Sequence, residues 1–353
     1  MQRTGTVQRW TDKDQPCFII AEAGSNHNGS IDQAKKMIDV AADAGADAVK
    51  FQIFRARTLY PPKPIAVKYL KNMGVNEDLY SIIKRFEVPY KWLGELCRHA
   101  KKRGITFLAT PFDLEAVKLL DRYVPFYKVA SYEALYGDLI EAIKKTRKPV
   151  FISLGGCTGH EVDMLMKKML CDYRDKTVLL HCIAKYPAPL DQVNLKMIPY
   201  LAEKYKVPIG YSDHTAEPLT APMTAVALGA RVIEKHFTLS KMLPGPDHAF
   251  ALEPDELQDM IRAIREAEKA IRGDQAGKSV QPCERELYYY KRCLYYKRDL
   301  PKGHVLSKND LSVLRNTGIK CRGFNPLEVD VVVGKSLRRD RNANEIVMKG
   351  DLR

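Results

Sequence analysis

Eight short apolar runs, rich in β-branched residues, recur through the first 275 residues, at 17–23, 48–54, 105–109, 126–131, 150–154, 178–183, 207–212 and 231–237. Nearly unbroken apolar character predicts strands buried on both faces, as in a parallel sheet. Between them lie amphipathic stretches of helix length at 30–44, 90–103, 114–122, 138–145, 161–171 and 217–228. A last such stretch, 254–272, opens on Pro254, a residue suited to the first helical turn. Eight alternating β/α units in about 250 residues predict a (β/α)8 TIM barrel, an α/β fold, with a doubly wound sheet as the alternative.

One segment breaks the rhythm. Residues 55–89, between the second run and its helix, carry Pro61, Pro62 and Pro64 and then YLKNMGVNEDLYSIIKRFE. A long βα loop lies over the catalytic face of a barrel and can cover a substrate. After Gly273 the pattern changes again. The expected division is a barrel at 1–275, a linker at 276–290 and a small β-rich domain at 291–353. The last shows turn signals at Pro301–Gly303, Gly318 and Asn325–Pro326 and a strand-like run at 329–333. So small a unit is near the lower limit for independent stability.

Composition narrows the class. Of 353 residues, 45% are hydrophobic and 28% charged, which suits a large packed core. No run approaches the roughly 18–20 apolar residues of a membrane span, and the polar, mixed-charge stretch Met1–Pro16 does not read as a secretory signal. Eight cysteines at 17, 97, 157, 171, 182, 283, 293 and 321 form no C-x-x-C pair. Their scatter predicts reduced thiols and a cytoplasmic location. The net charge is +14, of which residues 276–353 carry +8. No nucleic-acid motif accompanies that charge, so no nucleic-acid partner is expected.

The informative feature is what ends the apolar runs. Glu22 closes the first, with Asn26 and His27 beyond it; the second carries Lys50 and Gln52, which alternation sends to one side. The third leads into Thr110 and Asp113, and the fourth holds Lys128 and Ser131. Ser153 ends the fifth, and the sixth holds His181 and leads to Tyr186. The last two carry Ser212–Asp213–His214 and the pair Glu234 and His236. Taken singly, each has a structural explanation; His99, His160 and His304 are read that way throughout. Converging on one barrel mouth, so many ionisable groups are costly unless they bind something. Lys50 and Lys128 with Ser131, Ser153 and Ser212 make an anion cradle. His214 and His236 on neighbouring strands suit one divalent metal, with Glu22, Glu234 and Asp247 beside them.

The stretches AEAGSNHNGS (21–30), GADAVKFQ (45–52), TPFD (110–113), KVAS (128–131), LHC…YPAP (180–189), GYSDHT (210–215), EKHFT (234–238) and GPDHAFALEP (245–254) resemble the sialic acid synthase family. The small domain, around Arg315, Gly318-Ile319 and Gly334-Lys335, is similar to the antifreeze-like (SAF) domain of those enzymes. The resemblance implies a metal-dependent, phosphoenolpyruvate-condensing transferase. It would join phosphoenolpyruvate to an N-acylated hexose, N-acetylmannosamine or a related bacterial amino sugar, to give a nine-carbon α-keto acid and phosphate. It further implies that Lys50, Gln52, Lys128, Ser131, Ser153 and Ser212 contact phosphoenolpyruvate. His214 and His236 would hold the metal, manganese first, with magnesium or cobalt as alternatives. Glu22, Tyr186, Glu234, Asp247 and Arg315 would serve the sugar and the proton transfers, with Arg315 supplied by the partner of a domain-swapped homodimer. The chain departs from the pattern at Ala184, where many neuraminate synthases have asparagine, after the fifth run, where the family's S-T-G-M reads SLGG with Leu154 and Gly155, and at Asn316-Thr317 after the arginine. Those departures leave the acceptor open among neuraminate, legionaminic, pseudaminic and spore-coat branches. A Schiff-base aldolase using Lys50, Lys128 or Lys235 and a non-catalytic carbohydrate- or ice-binding protein are the rival readings.

Overall fold

In the computed structural model, residues 8–12, 14–61, 78–271, 280–316 and 323–353 are described. Pro62, Pro64, residues 69–77, the linker residues 276–279, Gly318-Ile319 and Cys321 lie outside them. The chain divides into two compact units, Met1–Arg272 and Gly273–Arg353.

Each of the eight predicted runs overlaps a strand of the first unit. They are β1 (Phe18–Gly24), β2 (Ala48–Ile53), β3 (Thr106–Pro111), β4 (Tyr127–Val129), β5 (Val150–Ser153), β6 (Thr177–Cys182), β7 (Ile209–Asp213) and β8 (Val232–His236). The sheet order is β3-β2-β1-β8-β7-β6-β5-β4, every ladder is parallel, and β3 lies beside β4. This is the expected TIM barrel. Helices start where the sequence supplies caps: Ser30 accepts from Gln33 N, Asp113 from Ala116 N, and Thr158 forms a capping box with Glu161. The helix Met197–Tyr205 joins β6 to β7.

Alternation along the strands divides their side chains between two cores. One face of the barrel wall sends Ile19, Ala21, Val49, Phe51, Phe107, Tyr127, Ile152, Leu179 and Ile233 outward against the helices. The other sends Phe18, Ile20, Ala48, Leu108, Phe126, Phe151, Val178, Leu180 and Val232 into the barrel. Trp10, from the helix Gln8–Thr11, closes the lower end, edge-on to Phe18, Phe126 and Phe151 at 5.9, 5.3 and 4.8 Å. Gly210 sits on the inward face where a Cβ would lie 2.3 Å from Leu180 Cδ2 and 2.6 Å from Val232 O. The described ends of the long loop form the helices Ala56–Leu59 and Leu79–Arg85, which share a small apolar cluster with Phe54, Phe86 and Phe112.

In the second unit β9 (Arg292–Tyr296) pairs antiparallel with β10 (Leu311–Arg315) over a core of Leu294, Tyr296, Leu300, Leu306, Phe324, Val332, Leu337, Val347 and Leu352. The strand expected at 329–333 is instead a helical turn, Val329–Val332, following a 3-10 turn at Pro326–Glu328. Asn325 and Glu328 form a capping box there, and that local nucleation overrides the β-branched valines. The unit also contains a repeat. Asp299 accepts from Ala343 N at 2.7 Å while Asp340 accepts from Lys302 N at 2.6 Å. At the same sequence offset, the turns ending in Asp310 and Asp351 each cap themselves with a buried aspartate.

Two stability measurements test this packing. Gly210→Ala should destabilise the barrel by about 1–3 kcal/mol in denaturant unfolding, because the new methyl overpacks the interior; an unchanged midpoint would show that Leu180 repacks freely. Asp310 is 1% exposed, and bonds from His304, Arg298 and Ser307 outweigh burial to hold its carboxyl well below the usual range. A carboxylate so depressed stabilises the fold above its unfolded pKa near about 3.9 and loses that contribution as pH falls. Asp310→Asn should therefore lower the melting temperature by several degrees at pH 7, with the gap to the wild type closing below about pH 4. A gap independent of pH would refute the charge assignment.

Candidate active site

The inward columns that begin as Phe18–Ile20, Ala48 and Val232 continue upward into Glu22, Lys50 and Glu234. Register places Glu22 beside Lys50 on one flank and His236 on the other, and Ser212 beside Glu234. The result is a buried cluster of four charges at the C-terminal ends of the strands. Lys50 Nζ lies 2.7 Å from Glu22 Oε2 and 3.7 Å from Glu234 Oε2, and Lys128 Nζ lies 3.4 Å from Glu234 Oε1. Neighbouring side chains add hydrogen bonds. Lys50 donates to Thr110 Oγ1 at 2.9 Å and Lys128 to Ser153 Oγ at 2.7 Å. Ser212 donates to Glu234 Oε1 and Gln52 to Glu22 Oε1, each at 2.9 Å. The two lysines of the predicted anion cradle are thus each paired with a carboxyl group.

The two carboxyls are driven apart. Burial pushes Glu22 up to about 7, with the charge of Glu234 adding to the effect of burial and Lys50 opposing it. Burial also acts upward on Glu234, but Lys128 and Lys50 more than offset it and hold the group down to about 2. Paired carboxyls separated in this way divide into a proton carrier and a permanent anion.

Tyr186 stands at the rim, 36% exposed, with its ring 4.1 Å from that of His214, 5.8 Å from His236 and 5.1 Å from Phe250. The two imidazoles lie edge-to-face, with centroids 5.6 Å apart and planes inclined at 61°. His214 Nδ1 donates to Ile183 O at 2.7 Å, which assigns the lone pair to its Nε2. Buried Nδ1 of His236 has no hydrogen-bond partner. Burial lowers His214 to about 4 and, with His214 adjacent, takes His236 well below the ordinary histidine value. Two neutral rings with free nitrogens fit a divalent ion held by imidazole. Among the described residues no group of three or more His, Cys, Asp and Glu is spaced to hold a metal, so two imidazoles are what the barrel offers. Asp247 accepts from Ser25 Oγ at 3.1 Å, and a Cβ on Gly24 would lie 3.2 Å from its carboxylate and 3.5 Å from the His236 ring. Ser131 accepts from Gly155 N at 3.0 Å, with Cys182 Sγ 3.6 Å away. A Cβ on Gly155 would lie 2.8 Å from Ser131 Oγ and 3.1 Å from Ala184 Cβ, so the departure at 184 packs against Gly155.

Glu22, Lys50, Gln52, Lys128, Ser131, Ser153, Tyr186, Ser212, His214, Glu234, His236 and Asp247 all belong to the barrel unit. Arg315 belongs to the second unit, at the exposed end of β10, and makes no ion pair among the described residues. Three other strand-end groups point away from the mouth. His181 faces outward, bonded to Val193 O at 2.7 Å, and lines a separate cavity of about 310 Å³ with Cys157 and Met197. Asp113 caps the helix Leu114–Leu120. Lys235, one rival nucleophile, lies on the outward face, 2.6 Å from both Asp213 Oδ2 and Thr215 O. A lysine so committed behind the wall is a structural cation. Sequence reasoning missed Glu133, Cys182 and Phe250. Glu133 is buried with an unpartnered Oε2 and pushed up to about 7 by burial, and only the turn Ser131–Glu133 turns it inward. Alternation from Leu180 pointed to Cys182; nothing in the sequence pointed to Phe250.

A parallel β/α barrel with ionisable groups gathered at the C-terminal mouth is the architecture of barrel enzymes. The NeuB family model matches residues 37–276 and the SAF domain model residues 291–353; the chain belongs to the NeuB family. It is 38% identical over 335 residues to the N,N'-diacetyllegionaminic acid synthase of Campylobacter jejuni, covering 94% of this chain and 98% of that protein. Identity to the spore coat polysaccharide biosynthesis protein SpsE of Bacillus subtilis is 37% over 328 residues, covering 89% and 87%. The crystal structure of N-acetylneuraminic acid synthetase from Leptospira borgpetersenii, in complex with citrate, is similar with a TM-score of 0.68 at 33% identity, covering 78% of this chain and 91% of that one. The expected family and the antifreeze-like domain are thereby borne out. Among the described residues no helix is long and apolar enough to cross a membrane, and seven cysteines are free.

The charge division is open to direct measurement. Carbon-13 NMR titration of labelled glutamates should show one buried carboxyl titrating near 7, lost in Glu22→Gln, and one that stays ionised down to about pH 3, lost in Glu234→Gln. Two buried glutamates titrating together near the ordinary value would overturn the assignment.

Proposed function

We propose that the protein condenses phosphoenolpyruvate with an open-chain N-acylated hexose and water, giving a nine-carbon α-keto acid and phosphate. The observation that supports this most directly is the paired Lys50–Glu22 and Lys128–Glu234 cluster set beneath two adjacent neutral imidazoles, in a member of a family whose relatives carry nonulosonic acid synthase names. Lys50 and Lys128, with Ser131, Ser153 and Ser212, bind the phosphate and carboxylate of phosphoenolpyruvate by charge-assisted hydrogen bonds. Gln52 orients Glu22. His214 and His236 hold a divalent ion, manganese first, which when bound supplies Lewis-acid polarisation of the sugar carbonyl. C3 of the enol phosphate forms the new bond to the sugar C1; water adds at C2, and the tetrahedral carbon then expels phosphate. Glu22, poised near neutrality, moves the proton, while Glu234 remains an anion that keeps both lysines charged and in place. Tyr186 and Asp247 line the sugar side, and Arg315 of a second subunit completes it through its planar fork.

The primary test is phosphate release from phosphoenolpyruvate with manganese and a panel of N-acyl hexoses, including the precursors of neuraminic, legionaminic and pseudaminic acids. No release with any of them would sink the proposal, and trapping by borohydride with pyruvate would favour an aldolase. Lys128→Ala should raise the apparent KM for phosphoenolpyruvate about ten- to a hundredfold while leaving the sugar KM close to its original value. Exhaustive chelation should abolish turnover and manganese restore it. Mixing Arg315→Ala and Glu234→Ala subunits should recover part of the activity; no recovery in mixtures shown to exchange subunits would refute the shared site.

A further inference from the structure

We infer that His248 is a positioning residue that locks the loop bearing Asp247 onto the loop after β1 and so sets the acceptor side of the mouth. This rests on the reading of Asp247 as a sugar-side group. The loop after β8 leaves and returns through a closed neck: Phe237 bridges Leu252, Thr238 N donates to Leu252 O at 2.8 Å, and Leu252 N to His236 O at 2.9 Å. Inside that neck lies the His248 ring, 1% exposed and turned away from the mouth's charges. Its Nδ1 lies 2.6 Å from Thr238 Oγ1 and its Nε2 3.1 Å from Asn28 Oδ1.

A neutral ring fixes the direction of these bonds. Asn28 Oδ1 accepts from Nε2–H; the Thr238 hydroxyl, which also lies 3.0 Å from Ser240 O, then turns its one proton to the unprotonated Nδ1 while accepting from Ser240 N at 3.2 Å. Burial lowers the pKa of the ring and so favours the neutral form. The backbone is shaped for it at both ends. Asn28 takes a left-handed φ of 49°, and Gly245 has a φ of 152°. A Cβ on Gly245 would lie 2.7 Å from His248 Cδ2. Two further bonds stitch the same pair of loops, from Asn26 Nδ2 to Phe237 O at 2.9 Å and from Ser25 Oγ to Asp247 Oδ2 at 3.1 Å. Asp247 therefore keeps its place between a hydroxyl from one loop and an anchored neighbour in its own. His248 touches no reacting group; it acts through Asp247.

Two variants of the full-length protein test the lock. His248→Ala removes both bonds. Asn28→Gly removes only the acceptor, at a backbone conformation that glycine adopts freely. Amide exchange at 239–251 should accelerate about tenfold or more in His248→Ala and in the same direction in Asn28→Gly, while the barrel strands keep their protection. In steady-state assays the KM for the N-acyl hexose should rise about tenfold and that for phosphoenolpyruvate stay within about twofold. Unchanged exchange in both variants would overturn the lock. Faster exchange with an unchanged sugar KM, or with both KM values rising together, would overturn its role at the acceptor side. A wild-type protein that releases no phosphate with any sugar would instead overturn the functional reading, and the exchange data would still decide the lock.

Discussion

The structure depends on one constraint: residues two apart on a barrel strand share a face, so the column filling the interior must also build the mouth. Phe18, Ile20 and Glu22 are one such column, and Val232, Glu234 and His236 another. Below, the column is sealed by Trp10 and apolar rings. Above, it ends in charges that water cannot reach. Burying one such charge alone costs several kcal/mol, and the cluster is tolerable because each lysine has a carboxylate and each carboxylate a lysine. The same pairing separates the two glutamates into a near-neutral and a permanently ionised group.

The opposite face of the same strands serves a different end. Asp213 and Lys235, each one residue from a mouth histidine, pair at 2.6 Å behind the wall, where Tyr211 OH, Thr215 N and Thr215 O complete their bonds. A fully bonded ion pair there fixes the ends of β7 and β8 against each other without adding charge to the mouth. The loops beyond β1 and β8 are tied in turn by side-chain bonds to backbone and by His248. Rigid strand ends and stitched loops are what hold the two imidazoles and Asp247 in one arrangement.

The second unit solves the problem of a small core by duplication. Two turns with buried aspartates, each bonded to arginine and to its own backbone, brace a core of nine apolar side chains. Arg298, Arg339 and Arg341 are thus engaged within the unit, whereas Arg315 at the end of β10 remains exposed.

Apolar runs without alternation specified the eight strands, because burial on both faces leaves no polar position to mark a side. Their polar ends specified which residues crown the barrel, and the motifs specified the family. The chain order alone did not decide which of those residues face inward. His181, Asp113 and Lys235 read as mouth residues in one dimension, yet the pleat turns His181 and Lys235 outward and a helix start claims Asp113. The run at 329–333 read as a strand because valine content does not reveal a capping box. Nor can sequence apportion charge. Glu22 and Glu234 are the same amino acid, and only the closed sheet, which buries both but sets two lysines and Ser212 against Glu234 and one lysine against Glu22, raises one carboxyl and lowers the other. Local pattern fixes what each segment is; the pairing of distant segments fixes what each side chain meets, and electrostatics responds to that alone.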